Sequence, residues 1–512
     1  MSLVPPRPQW ARPALAVLLA VLVGSGWYLF AEWSIAHRWG YSLDDSWIYA
    51  VYAKSVATGH GYSFNPGERV AAATGPLYVF ILAGLYSLFH DVVIPAKILG
   101  ILCLTASSLL LMSTVRRLSI DKELPPLIAG VLLALSPPVL WGVLGGLEVP
   151  ICLLAVCTGL YFYVDERRTA GCLCWALSIW LRPEAILLAG LGIAGAGTKI
   201  SRSQLALTAL GAAAIAGSYL LFNQAVGGWI FPSSAKVAAH PGSHFLASQW
   251  TMVKQWADLW LGWIGARRLG LHAIVLLPGI VVGSILLVRR LPALPAFFLL
   301  LPVALAIIRP WAGQLDRYLV PMIPFGILLG VIGLEHLCRR LAGVRATSAL
   351  IAVGLVCIAW QCYTARKVGI AHGWNVQNIN GMQRYIGETA AKAIAPGDTI
   401  AVNDVGAIGY FSGCYVVDLV GLTSPVRTFP DNLARYRPKY LILYPDWFQD
   451  FAAIDPVTDQ IVFYDGDSTF KYSPFLGVRL RNNTISSRNT MYLYERMSRS
   501  QTGASRPQLI VH

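Results

Sequence analysis

Long apolar runs recur from Leu15 to Tyr363, and pairs of basic residues separate them. In lipid every backbone N–H and C=O must find its partner within the protein, so runs of this kind are confined to α-helices. Only 13% of the 512 residues are charged, where a soluble chain carries roughly 25%. Mean hydropathy is +0.57. The pattern predicts a polytopic α-helical membrane protein.

The basic pairs set an orientation. Arg7/Arg12, Arg116/Arg117, Arg167/Arg168, Lys199/Arg202, Arg289/Arg290 and Arg339/Arg340 each abut an apolar run. Basic loops favour the cytoplasmic side. Spans then fall near 14–33, 93–114, 125–143, 149–164, 170–181, 184–198, 205–223, 271–288, 293–308, 318–337 and 347–363. About eleven spans leave the N-terminus inside and the C-terminus outside. The first run has a weak small-residue cleavage pattern and reads as a retained span. Pro76 to Phe89 is shorter than the roughly 20 residues a span needs, and counting it would turn Arg116/Arg117 outward. It is expected as an interfacial or re-entrant helix. Two features oppose the scheme: Arg267/Arg268 fall outside, and the run at 170–181 is short. The net charge of +14 fits topology and anionic lipid better than nucleic acid. Of nine cysteines only Cys414 lies beyond the apolar runs, and no CxxC spacing occurs. Buried free thiols are therefore expected rather than a disulfide framework or a zinc site.

This gives a membrane part at 1–365, with external loops at 34–92 and 224–270, followed by a domain at 366–512. Short strand-like runs occur there at Thr399–Asn403, Tyr415–Leu419, Tyr440–Tyr444, Gln460–Tyr464 and Met491–Glu495, with a helical piece at Asn378–Ile394. They predict an extracytoplasmic α/β domain.

The first external loop holds the densest chemistry. Asp44 and Asp45 follow the first span, and Trp47, Ile48, Val51, Tyr52 and Val56 recur at helical spacing behind them. A turn-rich stretch with Gly59, His60, Gly61 and Asn65-Pro66-Gly67 leads to a restart at Thr74-Gly75-Pro76. Ionisable groups beside a span are costly unless solvated or used.

These residues resemble a known family. Asp44-Asp45-Ser-Trp-Ile, Tyr52-Ala53-Lys54, Gly59-His60-Gly61-Tyr62, Phe64-Asn65-Pro66-Gly67-Glu68 and Thr74-Gly75-Pro76-Leu77 are similar to the first external loop of GT-C class glycosyltransferases that use polyprenyl-phosphate sugars. Cell-wall arabinofuranosyltransferases and their bacterial relatives are the nearest likeness. Gly146-Leu147-Glu148, Leu181-Arg182-Pro183-Glu184, Phe231-Pro232-Ser233-Ser234-Ala235-Lys236 and Arg317-Tyr318-Leu319-Val320-Pro321 resemble later family stretches, in order. Ser233-Ser234 departs from the family's Asn-Thr. The resemblance implies a GT-C-like fold and transfer of a sugar from a polyprenyl-phosphate donor to a glycan or lipid acceptor, at the external face of a bacterial inner membrane.

That chemistry needs a carboxylate to take the acceptor's proton and cations, or a metal, to meet the leaving phosphate. Asp44 and Asp45 are the expected catalytic pair, with Asp44 preferred as base by resemblance and one of the two capping the following helix. Arg182, Arg317, Lys236, His60, Glu148 and Glu184 are the expected donor-binding set, with Arg182 and Arg317 foremost for phosphate. Each also has a plainer explanation. His60 could be a turn residue, Glu148 a helix-terminal charge, Lys236 a surface charge, and Arg182 and Arg317 interfacial anchors. No cofactor is demanded. Carboxylates and His60 could hold a divalent cation, but no ligand spacing requires it. A transporter of lipid-linked sugars would place charges at span centres within paired repeats; here they sit at span ends and no repeat is found. A non-catalytic envelope assembly protein is the third alternative.

Overall fold

The computed structural model describes residues 11–197, 199–233, 254, 271–308, 314–395, 397–424, 429–447, 452–454, 460–464, 469–497 and 507–512. Lys236, Ser234, Arg267, Arg268 and most of the 224–270 loop lie outside them. The described helices are α1 (Ala11–Ala36), α2 (Asp44–Ala57), α3 (Pro76–Phe89), α4 (Val93–Leu118), α5 (Leu124–Ala134), α6 (Pro137–Leu144), α7 (Val149–Val164), α8 (Arg168–Leu177), α9 (Ala185–Ala196), α10 (Arg202–Gly227), α11 (Leu271–Leu287), α12 (Ala293–Ile308), α13 (Ile323–Ala342), α14 (Ala346–Ile379), α15 (Tyr385–Ala393), α16 (Gly406–Ser412) and α17 (Phe429–Tyr436).

Each of the eleven stretches expected to span is helical. Among the described residues, four stretches are long and apolar enough to cross a membrane: α1, α4, α10 and the run Gln314–Ala393, which contains α13 and α14. The pair α5 and α6 makes a fifth if it counts as one span. This pair corrects the uninterrupted span expected at 125–143. It bends by 49° between Ala134 and Pro137, where Pro137 and Pro138 supply no N–H for a continuous helix. The α3 helix forms as expected, and its 14 residues extend about 21 Å, short of a hydrocarbon core of about 30 Å.

Four of the basic loops meet at one end of the bundle. Arg117 pairs with Asp165, Arg290 Nη2 with Glu166 Oε1 at 3.3 Å, and Glu335 accepts from the amides of Ile120 and Asp121 while pairing with Arg339. Loop 1 begins at the other end of α4. At 26 residues, that helix separates the two ends by about 39 Å. Glycines set the tightest helix contact, between α11 and α13, where a side chain on Gly279, Gly283 or Gly333 would overlap a facing backbone. Small residues of this kind let membrane helices approach closely.

A buried ion cluster pins the loop-1 end. Glu32 of α1 receives Lys97 Nζ of α4 at 2.8 Å and faces His372 Nε2 of α14 at 3.1 Å, while its other oxygen accepts the Gly40 amide at 3.1 Å. Lys97 also donates to the Leu144 carbonyl at the end of α6. None of the three side chains is more than 4% exposed.

The domain expected from residue 366 has no break there. Helix α14 runs on to Ile379, passes through a π-helical turn at Asn380–Arg384 and continues as α15. Beyond it an eight-stranded sheet forms from β1 (Thr399–Val402), β2 (Tyr415–Asp418), β3 (Tyr440–Leu443), β4 (Ala452–Ile454), β5 (Ile461–Tyr464), β6 (Thr469–Arg479), β7 (Thr490–Arg496) and β8 (Gln508–Val511). The order is β2-β1-β3-β7-β6-β5-β4, with β8 also paired to β6. The β2, β1 and β3 strands are parallel and β7 returns antiparallel. All five expected strands are present.

The buried cluster yields a prediction. Removing one partner leaves an uncompensated charge, at about 3–5 kcal/mol. Glu32→Leu should lower the thermal unfolding midpoint of the purified protein, and adding Lys97→Met should recover much of the loss. Equal midpoints in the single and double variants would show that packing, not charge, carries the contact.

Candidate active site

The first turn of α2 carries both acidic residues, with Leu43 at the N-cap and no side-chain cap. The expectation that one of the pair caps its own helix is therefore not met. Asp44 instead caps a different one. Its Oδ2 accepts the Gly406 amide at 2.7 Å and its Oδ1 the Ala407 amide at 2.8 Å, at the start of α16 in the sheet domain. Any side chain on Gly406 would overlap the Asp44 carbonyl oxygen.

Asp45 faces elsewhere. Its Oδ2 receives Arg317 Nη2 at 2.5 Å, and both line a cavity of about 270 Å³. Glu148 and Arg182 line the same cavity and pair at 2.7 Å. Glu184 takes the other terminal nitrogen of Arg182 at 3.0 Å. Both guanidinium groups lie over the Tyr318 ring, each 5.1 Å from its centroid. Stacking of this kind favours arginine over lysine. Arg317 Nη1 and Arg182 Nε are buried and have no hydrogen-bond partner among the described residues. Buried donors left unmatched are costly.

Loop 1 closes the opposite side. Tyr49, one turn after Asp45, hydrogen-bonds Thr74 Oγ1 at 2.8 Å, and the Thr74 carbonyl accepts from Tyr219 at 3.1 Å. Ala72, Ala73 and Thr74 line the cavity with Ile48 and Leu147. Gly75 has no room for a side chain, since a Cβ there would lie 2.6 Å from the Leu181 carbonyl oxygen. That close approach brings Thr74 beside Arg182 and explains the Thr-Gly-Pro sequence.

Asp45, Glu148, Arg182 and Arg317 thus converge from four distant stretches, with Glu184 behind Arg182. Asp44 is turned away to the sheet domain. His60 is a correction: it is exposed in the turn after α2, bonded to Thr58 Oγ1 at 2.9 Å, and does not line the cavity. Lys236 lies outside the described residues. Among those residues no three His, Cys, Asp or Glu side chains group to hold a metal ion. Sequence reasoning missed Tyr49, Thr74, Gln314, Tyr318, Val420 and Leu422 as lining residues. Tyr318 and Thr74 sit inside stretches already singled out. Val420 and Leu422 come from the sheet domain and have no local signal.

Comparison with solved structures identifies the architecture. ArnT from Cupriavidus metallidurans superposes with a TM-score of 0.57 over 95% of this chain and 97% of its own, at 14% identity. The chain has the GT-C fold. ArnT bound to undecaprenyl phosphate matches this chain with the same TM-score of 0.57 and 14% identity, over 97% of this chain and 100% of that one. AglB, the oligosaccharyltransferase of Archaeoglobus fulgidus, in complex with an inhibitory peptide and a dolichol-phosphate, gives 0.56 at 11% identity over 86% and 70%. The mycobacterial arabinofuranosyltransferase AftD gives 0.45 at 13% identity, over 93% of this chain and 41% of that one. A model for a domain of unknown function (DUF8728) matches residues 372–496. No curated protein matches the chain.

The Asp44 contact titrates. Burial pushes the Asp44 carboxyl up to about 8, helped by the charge of Asp404 and opposed by its two amide bonds. Burial raises Asp404 as well, against its hydrogen bonds from Gln383 and Tyr444. A carboxyl whose folded value is raised contributes stability at low pH and loses it as pH climbs through that value. The contact between loop 1 and the sheet domain should therefore weaken as pH rises through about 8. Limited proteolysis across pH 6–9 reads this, and Asp404→Asn should blunt the alkaline change. An unaltered profile in that variant would show that the two carboxyls do not share the load.

Proposed function

We propose that this protein is a membrane glycosyltransferase that moves a sugar from a polyprenyl-phosphate donor to a hydroxyl of a cell-envelope glycan or lipid. The observation that carries the reading is the Asp45–Arg317 pair. One guanidinium holds a carboxylate through Nη2, its Nη1 is buried without a hydrogen-bond partner among the described residues, and both residues line the cavity. A general base and a phosphate-binding donor are thereby held side by side. The fold supports the donor class, since ArnT binds undecaprenyl phosphate and AglB a dolichol-phosphate.

In this reading Asp45, not Asp44, is the base. Asp44 has both oxygens engaged by backbone amides, whereas Asp45 lines the cavity. The acceptor oxygen attacks the anomeric carbon while Asp45 takes its proton. The bond from that carbon to the phosphate oxygen breaks, and the lipid phosphate leaves with the electron pair. Arg317 meets the charge that develops. Arg182, already neutralised by Glu148 and Glu184, orients Tyr318 and the arginine wall. The cavity lies at the end of the bundle opposite the basic loops, which supports an external face, a periplasmic sheet domain at 366–512 and a bacterial inner-membrane location.

The test is turnover of a panel of polyprenyl-phosphate sugars, followed by release of lipid phosphate. Asp45→Asn should fold and bind donor yet lose transfer by roughly 100-fold or more, the usual size of a general-base contribution. Arg317→Ala should weaken donor binding, and Arg317→Lys should restore it only in part, because an ammonium cannot bridge Asp45 and a phosphate as a fork. Near wild-type turnover in Asp45→Asn with a dead Asp44→Asn would return the role to Asp44. Activity in both would remove the catalytic reading of loop 1.

A further inference from the structure

The segment Asp418–Ser424 follows β2 and reaches from the sheet domain onto the cavity. Its residues alternate. Leu419, Gly421 and Thr423 are buried, whereas Val420 and Leu422 are half-buried and line the cavity. One carboxylate fixes this shape. Asp418 is fully buried; its Oδ1 accepts the amides of Val420 and Gly421 at 2.7 and 3.0 Å, and its Oδ2 accepts the Thr423 amide and hydroxyl at 2.7 and 3.1 Å. Ser424 Oγ returns a bond to the Asp418 amide at 3.1 Å. Gly421 has φ 87°, a left-handed value that other residues resist.

The segment is also registered on the membrane part. Asn65 of loop 1 receives the Val416 amide at 2.9 Å and donates to the Val416 carbonyl at 2.7 Å, just before the segment. Ser233, at the start of the second loop, donates to the Leu422 carbonyl and ties to Ala71. A cavity wall supplied from so far along the chain, and held by so many bonds, is a built surface.

We propose that this segment is the specificity-determining wall of the glycosyl-transfer site, with Val420 and Leu422 contacting the donor sugar and Asp418 as the positioning residue that shapes them. The inference rests on the proposed transferase reading and deepens it. The wall brings two aliphatic residues to a cavity that Asp45, Arg317 and Tyr318 also line, so it suits the C–H face of a sugar ring whose oxygens meet the polar residues. A volume of about 270 Å³ is at the small end of ligand sites, which start at roughly 300 Å³. The site therefore takes one compact sugar ring with its phosphate. The matched domain of unknown function thereby acquires a role as one wall of a substrate pocket.

The test uses the full-length protein and undecaprenyl phosphate carrying a pentose, a hexose or an N-acetylhexosamine. Wild type should prefer the smaller rings. Leu422→Ala, and separately Val420→Ala, should shift kcat/KM toward the larger sugar relative to the smaller by about 10-fold or more, the size of effect that a few methylenes exert in an apolar pocket. Asp418→Asn should raise KM for the preferred donor more than it lowers kcat and should flatten discrimination between donors. If wild type turns over but neither alanine variant alters the ratio between donors, the wall is only structural and the proposal fails while the transferase reading stands. If wild type neither binds nor turns over any of the three donors, the transferase reading fails and takes the wall with it.

Discussion

The arrangement of the site depends on where Asp44 spends its carboxylate. Successive residues on a helix point about 100° apart, so an Asp-Asp pair cannot serve one direction. Asp44 is committed to the first two amides of α16. That contact fixes the rotation of α2 about its axis and leaves Asp45 facing the cavity. Trp47, on the same helix, packs against Tyr41, Tyr410 and Phe411, and so supports the setting from both loop 1 and the sheet domain.

Charge within the cavity is arranged in layers. Arg182 has a carboxylate on each terminal nitrogen and is nearly spent as a cation. Arg317 has one carboxylate and one unmatched nitrogen. Tyr318 lies between them as a shared face. A buried arginine with both terminal nitrogens paired to carboxylates, as Arg182 is apart from its unmatched Nε, has little terminal capacity left for a new acceptor. One left with an open donor is costly in the empty state and regains that cost when an anion arrives. The two arginines that the sequence singled out alike are thus physically different.

Much of the helical plan was legible because apolarity and basic pairs act through simple constraints, length and charge placement. The break at Pro137-Pro138 was visible as prolines, but apolarity masked it. The continuation of α14 past residue 366 was not legible, since the chain there becomes polar without any helix-breaking residue before Gly369 and Gly373. Among strands, the five short apolar runs were readable, whereas the short β4 and β8 and the long β6 were not; of these β6 is the most broken in pattern. It carries Pro474 and Gly477, and its pairing shifts between Pro474 and Leu476, so the alternation that marks a strand is interrupted. In the site, Glu148, Arg182 and Arg317 were readable because each sits near the end of an apolar run, inside a stretch that resembles a family motif. Asp45 was readable, but its separation from Asp44 was not, because the partner that divides them lies at residues 406 and 407.

That partner stands 362 residues after Asp44. Chains are synthesised from the N-terminus, and domains organise as they emerge. The segments bearing Asp45, Glu148, Arg182 and Arg317 are therefore made well before the turn that locks α2 and before the strand end that completes the pocket. A chain interrupted after α14 would retain every charged residue of the cavity and still lack its final shape. The order of translation thus separates insertion from completion of the cavity, which is finished only when the C-terminal part of the polypeptide folds back onto the first loop.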